Sequence, residues 1–297
     1  TKNKDEIDFA YLNRPHIAIK YIDFIKKNTN IKVIYYGHDL HFLREYREYE
    51  LTGDIQKKRE SDYWKSIEFS LMEKAAVSYY PSYVEEEAIH AIHPEYKIRA
   101  ITAYVYEKFL ENIDKDFEKR EGLLFVGGFA HPPNADAVLW FAKEIFPLIR
   151  QKLDVNFYVV GSKVTDEIKA LEQPGSGIIV KGFVTEEELA SLYSTSRIVV
   201  VPLRYGAGVK GKVVEAVYNG SAIVTTSIGS EGIPEAERVM KVADGPEAFA
   251  DEVVKMYQDP AECRRMCEET QKYIREYFSV EAAWKVIEGD FTPEKKR

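Results

Sequence analysis

Short apolar runs alternate with amphipathic stretches along residues 121–278. Six runs rich in Val and Ile are predicted strands: 122–126, 155–160, 178–180, 198–201, 222–225 and 239–242. The stretches between them have helical periodicity and are predicted helices: 135–151, 166–172, 186–194, 209–218 and 246–258. Because the strands are continuous apolar runs rather than alternating ones, their sheet is expected to be buried on both faces. This pattern predicts a doubly wound, parallel α/β domain.

Residues 1–106 show the same alternation with fewer strands. The predicted strands are 32–36, 77–80 and 98–102, and the predicted helices are 17–28, 54–75 and 84–92. Three strands are fewer than most α/β sheets contain. We therefore expect either a small sheet or an incomplete first domain, whose first strands precede Thr1 in a longer parent chain.

Two further segments complete the predicted domain organisation. Residues 107–120 are almost all polar and are predicted to form a linker, which leaves 121–278 as the second domain. The tail from Ala261 is predicted to be helical with a break near Phe278, and Ser279 precedes an acidic turn as an N-cap residue does. We expect residues 279–297 to form a helix that packs back on the first domain.

Composition and charge exclude several classes of protein. The chain has 297 residues and a net charge of −8, so it lacks the basic footprint of a general nucleic-acid binder. Its longest apolar runs are far shorter than the ~18 residues of a membrane span. Cys263 and Cys267 make an incomplete zinc ligand set, and we expect ordinary reduced thiols. We expect a cytoplasmic protein, and peripheral attachment at the inner membrane face stays open.

Ligands of open α/β sheets bind at the carboxyl ends of the strands, and three loops there are unusual. Gly127 and Gly128 follow the first strand of the second domain and allow the backbone to approach a phosphate at the next helix N-terminus. Gly-Gly is a weak signal, because a plain strand-to-helix turn also uses it. The polar loop 225–232 either lines the same crevice or is a simple turn.

The loop 202–216 carries the strongest signal. It contains Arg204, Gly206, Gly208, Lys210, Gly211, Lys212 and Glu215. A glycine-rich turn, cations and a helix N-terminus together form an anion site suited to a diphosphate, and Glu215 is placed to accept from ribose hydroxyls. No Ser or Thr follows Lys212 to hold magnesium, and the spacing is not GxxxxGK[ST], so an ordinary ATPase is disfavoured. The alternative is a surface loop with solvated lysines.

His38 and Asp39 follow a predicted strand of the first domain. A His at this position could orient a departing phosphate or a sugar, with Asp39 setting its protonation state. The alternative is an Asp helix cap with a neighbouring His. All six His lie at or before His131, so a His in the site comes from the first domain or is His131.

Residues 123–259 resemble the donor domain of retaining glycosyltransferases of the B-type fold, family 4. The resemblance rests on the strings VGGFAHPPNADAVLWFAKEIFPLI, YVVGS and IIVKGFVTEEELASLYSTSRIVVVPLRYGAGVKGKVVEAVYNGSAIVTTSIGSEGI. The earlier YYGHDLHFLREYRE is more weakly similar to the back half of the family's acceptor domain. The family implies two Rossmann-like domains that face a cleft and transfer a sugar, with retention, from a nucleotide-diphosphate sugar to a glycan or lipid-linked acceptor. It also implies a place in cell-surface polysaccharide biosynthesis.

The resemblance implies roles for individual residues. Glu215 matches the second glutamate of the family's paired-glutamate motif and is expected at the ribose. Lys210 and Lys212 are expected to face the diphosphate as catalytic cations, while Gly206 and Gly208 let the backbone close in.

Two further positions follow from the same resemblance. The loop with Phe183 and Val184 is expected to meet the base. His38 is expected to face the donor across the cleft as a catalytic residue.

Three positions depart from the family pattern. Ala207 stands where the family often has a glutamate at the sugar hydroxyls. Gly128 and Asn134 stand in the donor loop where many members carry an arginine and a lysine. Arg204, together with Lys210 and Lys212, is then expected to supply the cations.

The leading hypothesis is an enzyme that needs no metal and no cofactor, because cations and helix dipoles stabilise the leaving diphosphate electrostatically. A non-catalytic donor-binding or partner subunit is the alternative, motivated by Ala207 and the thin first domain. A sugar-nucleotide epimerase or a phosphorylase of the same fold ranks last, since no pyridoxal-binding lysine motif is evident.

Overall fold

The computed structural model describes residues 6–291, which group into two compact units. Unit 1 comprises residues 6–105, Tyr205–Val209 and 277–291. Unit 2 comprises Tyr106–Arg204 and Lys210–Glu276. The segment Tyr205–Val209 therefore groups with unit 1, although the chain on both sides of it groups with unit 2.

Unit 1 is built on a four-stranded parallel sheet in the order β1-β2-β3-β4. Its elements before unit 2 are β1 (Phe9–Asn13), α1 (Pro15–Ala18), α2 (Ile22–Asn28), β2 (Lys32–Tyr36), α3 (His41–Thr52), α4 (Ile55–Lys74), β3 (Val77–Tyr80), α5 (Tyr83–His90) and β4 (Ile98–Ala100). Because the register of β1 on β2 runs from Phe9 opposite Lys32 to Asn13 opposite Tyr36, both strands end at the same edge of the sheet.

Unit 2 is built on a six-stranded parallel sheet in the order β10-β9-β8-β5-β6-β7. Its first half contains β5 (Leu123–Val126), α6 (Pro132–Trp140), a π-helical turn (Phe141–Ile145), α7 (Phe146–Arg150), β6 (Phe157–Val160), α8 (Asp166–Lys169), β7 (Ile178–Gly182) and α9 (Glu186–Thr195). Its second half contains β8 (Ile198–Val201), α10 (Gly211–Tyr218), β9 (Ala222–Thr225), α11 (Ser227–Ser230), a 3₁₀ turn (Ala236–Arg238), β10 (Lys241–Val242), α12 (Pro246–Tyr257) and α13 (Pro260–Tyr277). Counted from β5, this is the 3-2-1-4-5-6 order of a Rossmann sheet, and its switch point lies between β5 and β8.

The chain ends in α14 (Val280–Ile287), which belongs to unit 1. Ser279 caps it, since its hydroxyl accepts from the Ala282 N–H at 3.1 Å, as the sequence predicted. Val286 and Ile287 pack on one face of the unit 1 sheet, and the Tyr79 hydroxyl donates to Asp290 at 2.7 Å. Residues 292–297 of the predicted helix lie outside the described residues.

The prediction of three strands in the first domain is wrong, because β1 adds a fourth. Strand β1 forms an edge of its sheet, and its residues are exposed or half-buried, so it lacks the continuous apolar run of an interior strand. Helix α3 was also missed, since its sequence HFLREYREYELT is mostly polar and it buries only Phe42 and Glu45. The predicted helix 17–28 is divided between α1 and α2.

Two segments of unit 2 differ in detail from the prediction. The helix expected at 135–151 contains the π-helical turn immediately before α7, where Pro147 has no N–H to donate and its ring crowds the preceding turn. In the expected linker 107–120, Phe117 and Arg120 are buried, and the Arg120 guanidinium stacks 4.0 Å from the Phe117 ring. The end of this segment is therefore part of the unit 2 core.

Two properties of the described residues bear on the sequence analysis. Cys263 and Cys267 are buried and free, and burial raises the pKa of both thiols. Among residues 6–291, no helix combines the length and apolar character that crossing a bilayer requires.

Candidate functional site

A pocket of about 430 Å³ lies in unit 2 at the carboxyl ends of β5, β6 and β7, beside the first turns of α10. It is lined by Val126, Gly127, Gly128, Asn134, Val160, Gly161, Ser162, Phe183, Val184, Leu189, Lys212 and Glu215. Seven of the predicted donor-site residues therefore meet here: Gly127, Gly128, Asn134, Phe183, Val184, Lys212 and Glu215. The pocket lies where a doubly wound sheet binds its ligands.

Backbone hydrogen bonds join the three loops that form the pocket floor. The Gly127 N–H donates to the Val160 carbonyl at 2.9 Å, and the Gly161 N–H donates to the Gly182 carbonyl at 2.8 Å. A Cβ atom on Gly161 would lie 1.9 Å from the Gly127 carbonyl oxygen, which no side chain tolerates. Gly161 is thus required for the loops to approach each other.

Asn134 connects this floor to α10. Its Nδ2 donates to the Gly128 carbonyl at 2.7 Å, and its Oδ1 accepts from the Lys212 ammonium. The amide is buried, so Asn134 orients the Lys212 side chain from one fixed position. Its role in this structure is to hold a cation in place, and it carries no charge of its own.

Lys212 is the pocket's main electrostatic feature. Its ammonium lies 5.3 Å from the centre of the Phe125 ring and has a neutral amide as its hydrogen-bond partner. Burial, with a further contribution from the Lys210 charge, lowers the pKa of Lys212 to about 7. An anion that binds in the pocket would favour the ammonium form of Lys212, so the pocket would gain positive charge on binding.

Glu215 lies one turn further along α10, on the same pocket wall. Burial raises the pKa of its carboxyl group, and the Tyr193 hydroxyl beside it offsets part of that effect. A partly buried carboxylate is stabilised by donated hydrogen bonds, which two vicinal hydroxyl groups of a ligand can supply.

The other two predicted cations do not line the pocket. The Lys210 ammonium lies 3.3 Å from the Glu231 carboxylate, and both side chains are nearly buried. The Arg204 guanidinium forms a two-pronged ion pair with Asp136 on α6, with Nε 2.9 Å from Oδ2, and lies over the Trp140 ring. The predicted loop 225–232 thus meets Lys210 through Glu231, and Arg204 is neutralised by a carboxylate.

Gly206 and Gly208 lie in the segment that groups with unit 1. The Gly206 carbonyl accepts from the Arg47 guanidinium at 2.8 Å. Gly208 has φ +72°, and a Cβ on it would lie 3.4 Å from the Glu85 carboxylate and from Asp39. The structure thus groups these two glycines with α3 and α5 of unit 1, whereas Lys212 and Glu215 belong to unit 2.

His38 lies in unit 1, two residues beyond β2. Its Nε2 pairs with the Asn13 side-chain oxygen, and its ring stands edge-on to Tyr36 at 4.8 Å. Burial and the Arg14 charge lower the pKa of His38, and the opposing effect of Asp39 is weaker. The imidazole is therefore neutral at pH 7.

The alternative that Asp39 caps a helix is wrong. Helix α3 begins after Leu40, and its first N–H groups are satisfied by two buried carboxylates. Glu85 accepts from Leu40 at 3.1 Å, and Glu68 accepts from the backbone of His41 at 2.9 Å. Asp39 instead forms an ion pair with Arg44.

Four lining residues were not singled out from the sequence: Val126, Val160, Ser162 and Leu189. Gly161 belongs with them, because its tight approach to Gly127 depends on tertiary structure. The Gly-Ser pair directly after β6 was the available signal, since it follows a buried strand as Gly127 and Gly128 do. Within residues 6–291, no group of three or more His, Cys, Asp or Glu side chains is arranged to hold a metal ion.

Residues 120–259 match the family model of glycosyl transferases group 1. The matched region is a little under half of the chain, and it contains every residue that lines the pocket. An uncharacterized 44.6 kDa protein in the cps region of Klebsiella pneumoniae is 32% identical over 116 residues. That alignment covers 37% of this chain and 30% of the relative's length.

Solved structures share the fold over almost the whole chain. Sucrose-phosphate synthase from Thermosynechococcus elongatus has a TM-score of 0.75 at 17% identity, covering 96% of this chain and 73% of that one. HepE from Anabaena, in complex with UDP, has a TM-score of 0.70 at 13% identity, covering 97% and 79%. The chain therefore has an α/β fold with two parallel sheets that matches glycosyltransferase structures of the B type.

Proposed function

We propose that this protein is a retaining glycosyltransferase that moves a sugar from a nucleotide-diphosphate sugar to a glycan or lipid-linked acceptor. The observation that carries the proposal is the unit 2 pocket, which combines Lys212, Glu215 and glycine-lined backbone at the carboxyl edge of a Rossmann sheet. This pocket lies wholly within the region that matches glycosyl transferases group 1.

The pocket offers a distinct partner for each part of a nucleotide-diphosphate sugar. The α10 N-terminus and Lys212 bind the diphosphate, and Glu215 accepts from the ribose hydroxyls. Phe183 is 81% exposed and, with Val184, presents an apolar surface to the base.

The chemistry we propose is electrostatic. As the glycosidic bond breaks, negative charge grows on the departing diphosphate, and a preorganised ammonium stabilises that charge more than it stabilises the bound substrate. Lys212 supplies this positive charge directly. Lys210, which is paired with Glu231, adds positive charge from outside the pocket lining. The reaction then needs no metal and no cofactor, because these cations and the helix dipole neutralise the leaving group.

The acceptor and the cellular setting are part of the same proposal. HepE was solved with UDP, which supports a nucleotide ligand of this class. The Klebsiella relative belongs to a cps region, which supports a role in cell-surface polysaccharide biosynthesis. We propose a cytoplasmic protein with peripheral access to a membrane-bound acceptor and with no nucleic-acid partner.

A donor-binding subunit without turnover is the second candidate. It is favoured by Ala207, which stands where relatives of this type often carry a glutamate at the sugar hydroxyls. Such a subunit would keep the pocket and Glu215 but would lack one sugar contact.

The deciding experiment measures binding and turnover on the same protein. Thermal shifts with UDP-, GDP-, dTDP- and ADP-sugars identify the donor, since ~100-fold saturation adds roughly 2.7 kcal/mol to stability. The identified donor is then incubated with acceptor glycans, and the anomer of the product is read by NMR. Transfer with retained configuration supports the enzyme; binding with neither transfer nor hydrolysis supports the donor-binding subunit; and no binding of any nucleotide sugar contradicts both.

A further inference from the structure

The first helical segment of unit 1 is formed by α1 and α2 together. They are joined by a turn in which the Tyr21 N–H donates to the Ala18 carbonyl at 3.1 Å, and the Ile25 N–H then donates to the Tyr21 carbonyl at 3.0 Å. Residues 15–28 therefore wind as one nearly continuous helical segment. Its inner face, which includes Ala18 and Ile22, is buried in the unit 1 core.

Three large apolar side chains are exposed on the neighbouring face of this segment. Ile17, Tyr21 and Phe24 are 39%, 53% and 55% exposed. Their spacing of four and three residues places them one above the other on a helix. We call these three side chains the outer ridge. Single exposed apolar residues are ordinary on a protein surface, so the regular row is the informative feature.

Cations lie beside the outer ridge, although the protein as a whole is acidic. Residues 14–28 contain four Lys or Arg residues and one acid, Asp23, whereas the chain has a net charge of −8. The Asp23 carboxylate is paired with Lys74 at 2.7 Å. Lys20 and Lys27 are exposed, lie one helical turn from members of the ridge, and form no ion pair with any residue in the range 6–291. This surface is therefore positively charged on a negatively charged protein.

The size of the outer ridge distinguishes between kinds of partner. Residues 15–28 span about 21 Å as a helix, and a row of side chains along one side of it covers roughly 200 Å². A stable protein–protein interface buries about 800 Å² on each partner, so the ridge is too small for one. Two copies that met through their ridges would also place Lys20 and Lys27 against the same lysines of the other copy.

We propose that the outer ridge attaches this protein to an anionic lipid bilayer. The three apolar side chains enter the headgroup region, and Lys20 and Lys27 contact the lipid phosphates. Interfacial helices present this combination of apolar side chains and lysines to a membrane. Tyr21 suits this depth, because its ring is apolar and its hydroxyl is polar. The inference rests on the proposed function, and it selects the lipid-linked acceptor from the two classes named there.

Vesicle flotation of the full chain tests the proposal. Vesicles of phosphatidylcholine are compared with vesicles that contain about one third phosphatidylglycerol, at low and at high salt. We expect at least about tenfold stronger partitioning onto the anionic vesicles, and we expect salt to weaken it by screening the lysines. Amide exchange measured with the anionic vesicles should slow in residues 15–28 and stay unchanged in α12 of unit 2.

Matched substitutions separate the outer ridge from the rest of the surface. Phe24→Ser should weaken vesicle binding about fivefold to tenfold, while its melting temperature stays near that of the wild type because the side chain is exposed. Tyr63→Ser, at an aromatic residue of α4 that is 60% exposed, is the control and should bind normally. Lys27→Glu should weaken binding to anionic vesicles about tenfold to thirtyfold. Arg59→Glu makes the same change of charge on α4 and should have little effect.

Several results overturn the proposal. They are absence of partitioning onto either kind of vesicle, equal partitioning with and without anionic lipid, and wild-type partitioning of folded Phe24→Ser or Lys27→Glu. A dimer in light scattering that Phe24→Ser dissociates would make a second copy the occupant of the ridge, and this also overturns it.

The nucleotide-sugar panel separates this proposal from the proposed function. Nucleotide-sugar binding without vesicle binding refutes only the membrane surface. Vesicle binding that depends on the outer ridge, without binding of any nucleotide sugar, refutes the glycosyltransferase and leaves the membrane surface established.

Discussion

The low pKa of Lys212 predicts that binding of a nucleotide-diphosphate sugar takes up a proton. In the free protein burial and Lys210 hold this pKa at about 7, so most Lys212 side chains are neutral at pH 8. A bound diphosphate places negative charge at the α10 N-terminus and favours the ammonium form. The complex therefore binds more protons than the free protein, and rising pH weakens the complex.

The expected size of this proton uptake follows from the pKa shift of Lys212. Moving the pKa from 10.5 to about 7 corresponds to roughly 5 kcal/mol against the charged form, which sets the scale of what a bound anion can restore. With a pKa near 7, about nine tenths of the sites are neutral at pH 8, so binding should take up about 0.9 proton. Between pH 7 and the pKa in the complex, affinity should fall about tenfold per pH unit.

Calorimetry in two buffers of different ionisation enthalpy measures this uptake directly. The intact nucleotide sugar is the correct ligand, because its diphosphate diester does not titrate in this range. Among the described residues no histidine lines the pocket, so histidine titration does not imitate the signal. Lys212→Arg stays charged at every pH used, and its binding should show neither uptake nor pH dependence. A wild-type protein that binds without proton uptake at pH 8, and equally well at pH 7 and 9, would refute the reasoning.

Three further predictions concern single residues of the same site. Glu215→Ala should weaken nucleotide binding about tenfold to a hundredfold by loss of charge-assisted hydrogen bonds, and an unchanged Kd would contradict the ribose assignment. Gly161→Ala should lower the free energy of unfolding, measured by urea titration, by about 1–3 kcal/mol or more, because the new Cβ would collide with the Gly127 carbonyl oxygen. Gly128→Ala is the control: its Cβ would lie 3.5 Å from the nearest atom, so its stability should remain near that of the wild type. Lys210→Met should raise the pKa of Lys212, because it removes the nearby charge that helps to lower that pKa, and should reduce the proton uptake on donor binding at pH 8; an unchanged uptake would contradict the coupling of the two lysines.

The sequence predicted the unit 2 sheet well because burial on both faces leaves a local signature. Strands such as Ile198–Val201 are continuous apolar runs rich in Val and Ile, which is the pattern of a strand buried on both faces. Edge strand β1 has no such signature, and α3 is stabilised by Glu68 and Glu85 from elsewhere in the chain. Elements that depend on distant partners were the ones missed.

The sequence predicted which loops form the candidate site, but it did not predict which of the cations in those loops are paired with carboxylates. Glycines and polar residues after successive parallel strands converge by topology alone, which is why Gly127, Gly128 and Lys212 were found together. Which cation remains available to bind an anion depends on carboxylates that are distant in the sequence. Arg204 meets Asp136, and no local pattern shows that pairing.

The distribution of these carboxylates explains why one lysine dominates the pocket. Three cations occur within nine residues of sequence, yet Asp136 neutralises Arg204 and Glu231 lies against Lys210. Lys212 has an amide as its partner, and an amide orients an ammonium without compensating its charge. A lysine held in this way is uncharged for much of the time in the free protein, and the bound donor converts it to the ammonium form. On the proposed reaction path the ammonium is thus in place before bond cleavage, and its attraction to the departing diphosphate strengthens as negative charge grows there, so this added part of its stabilisation is realised only in the transition state.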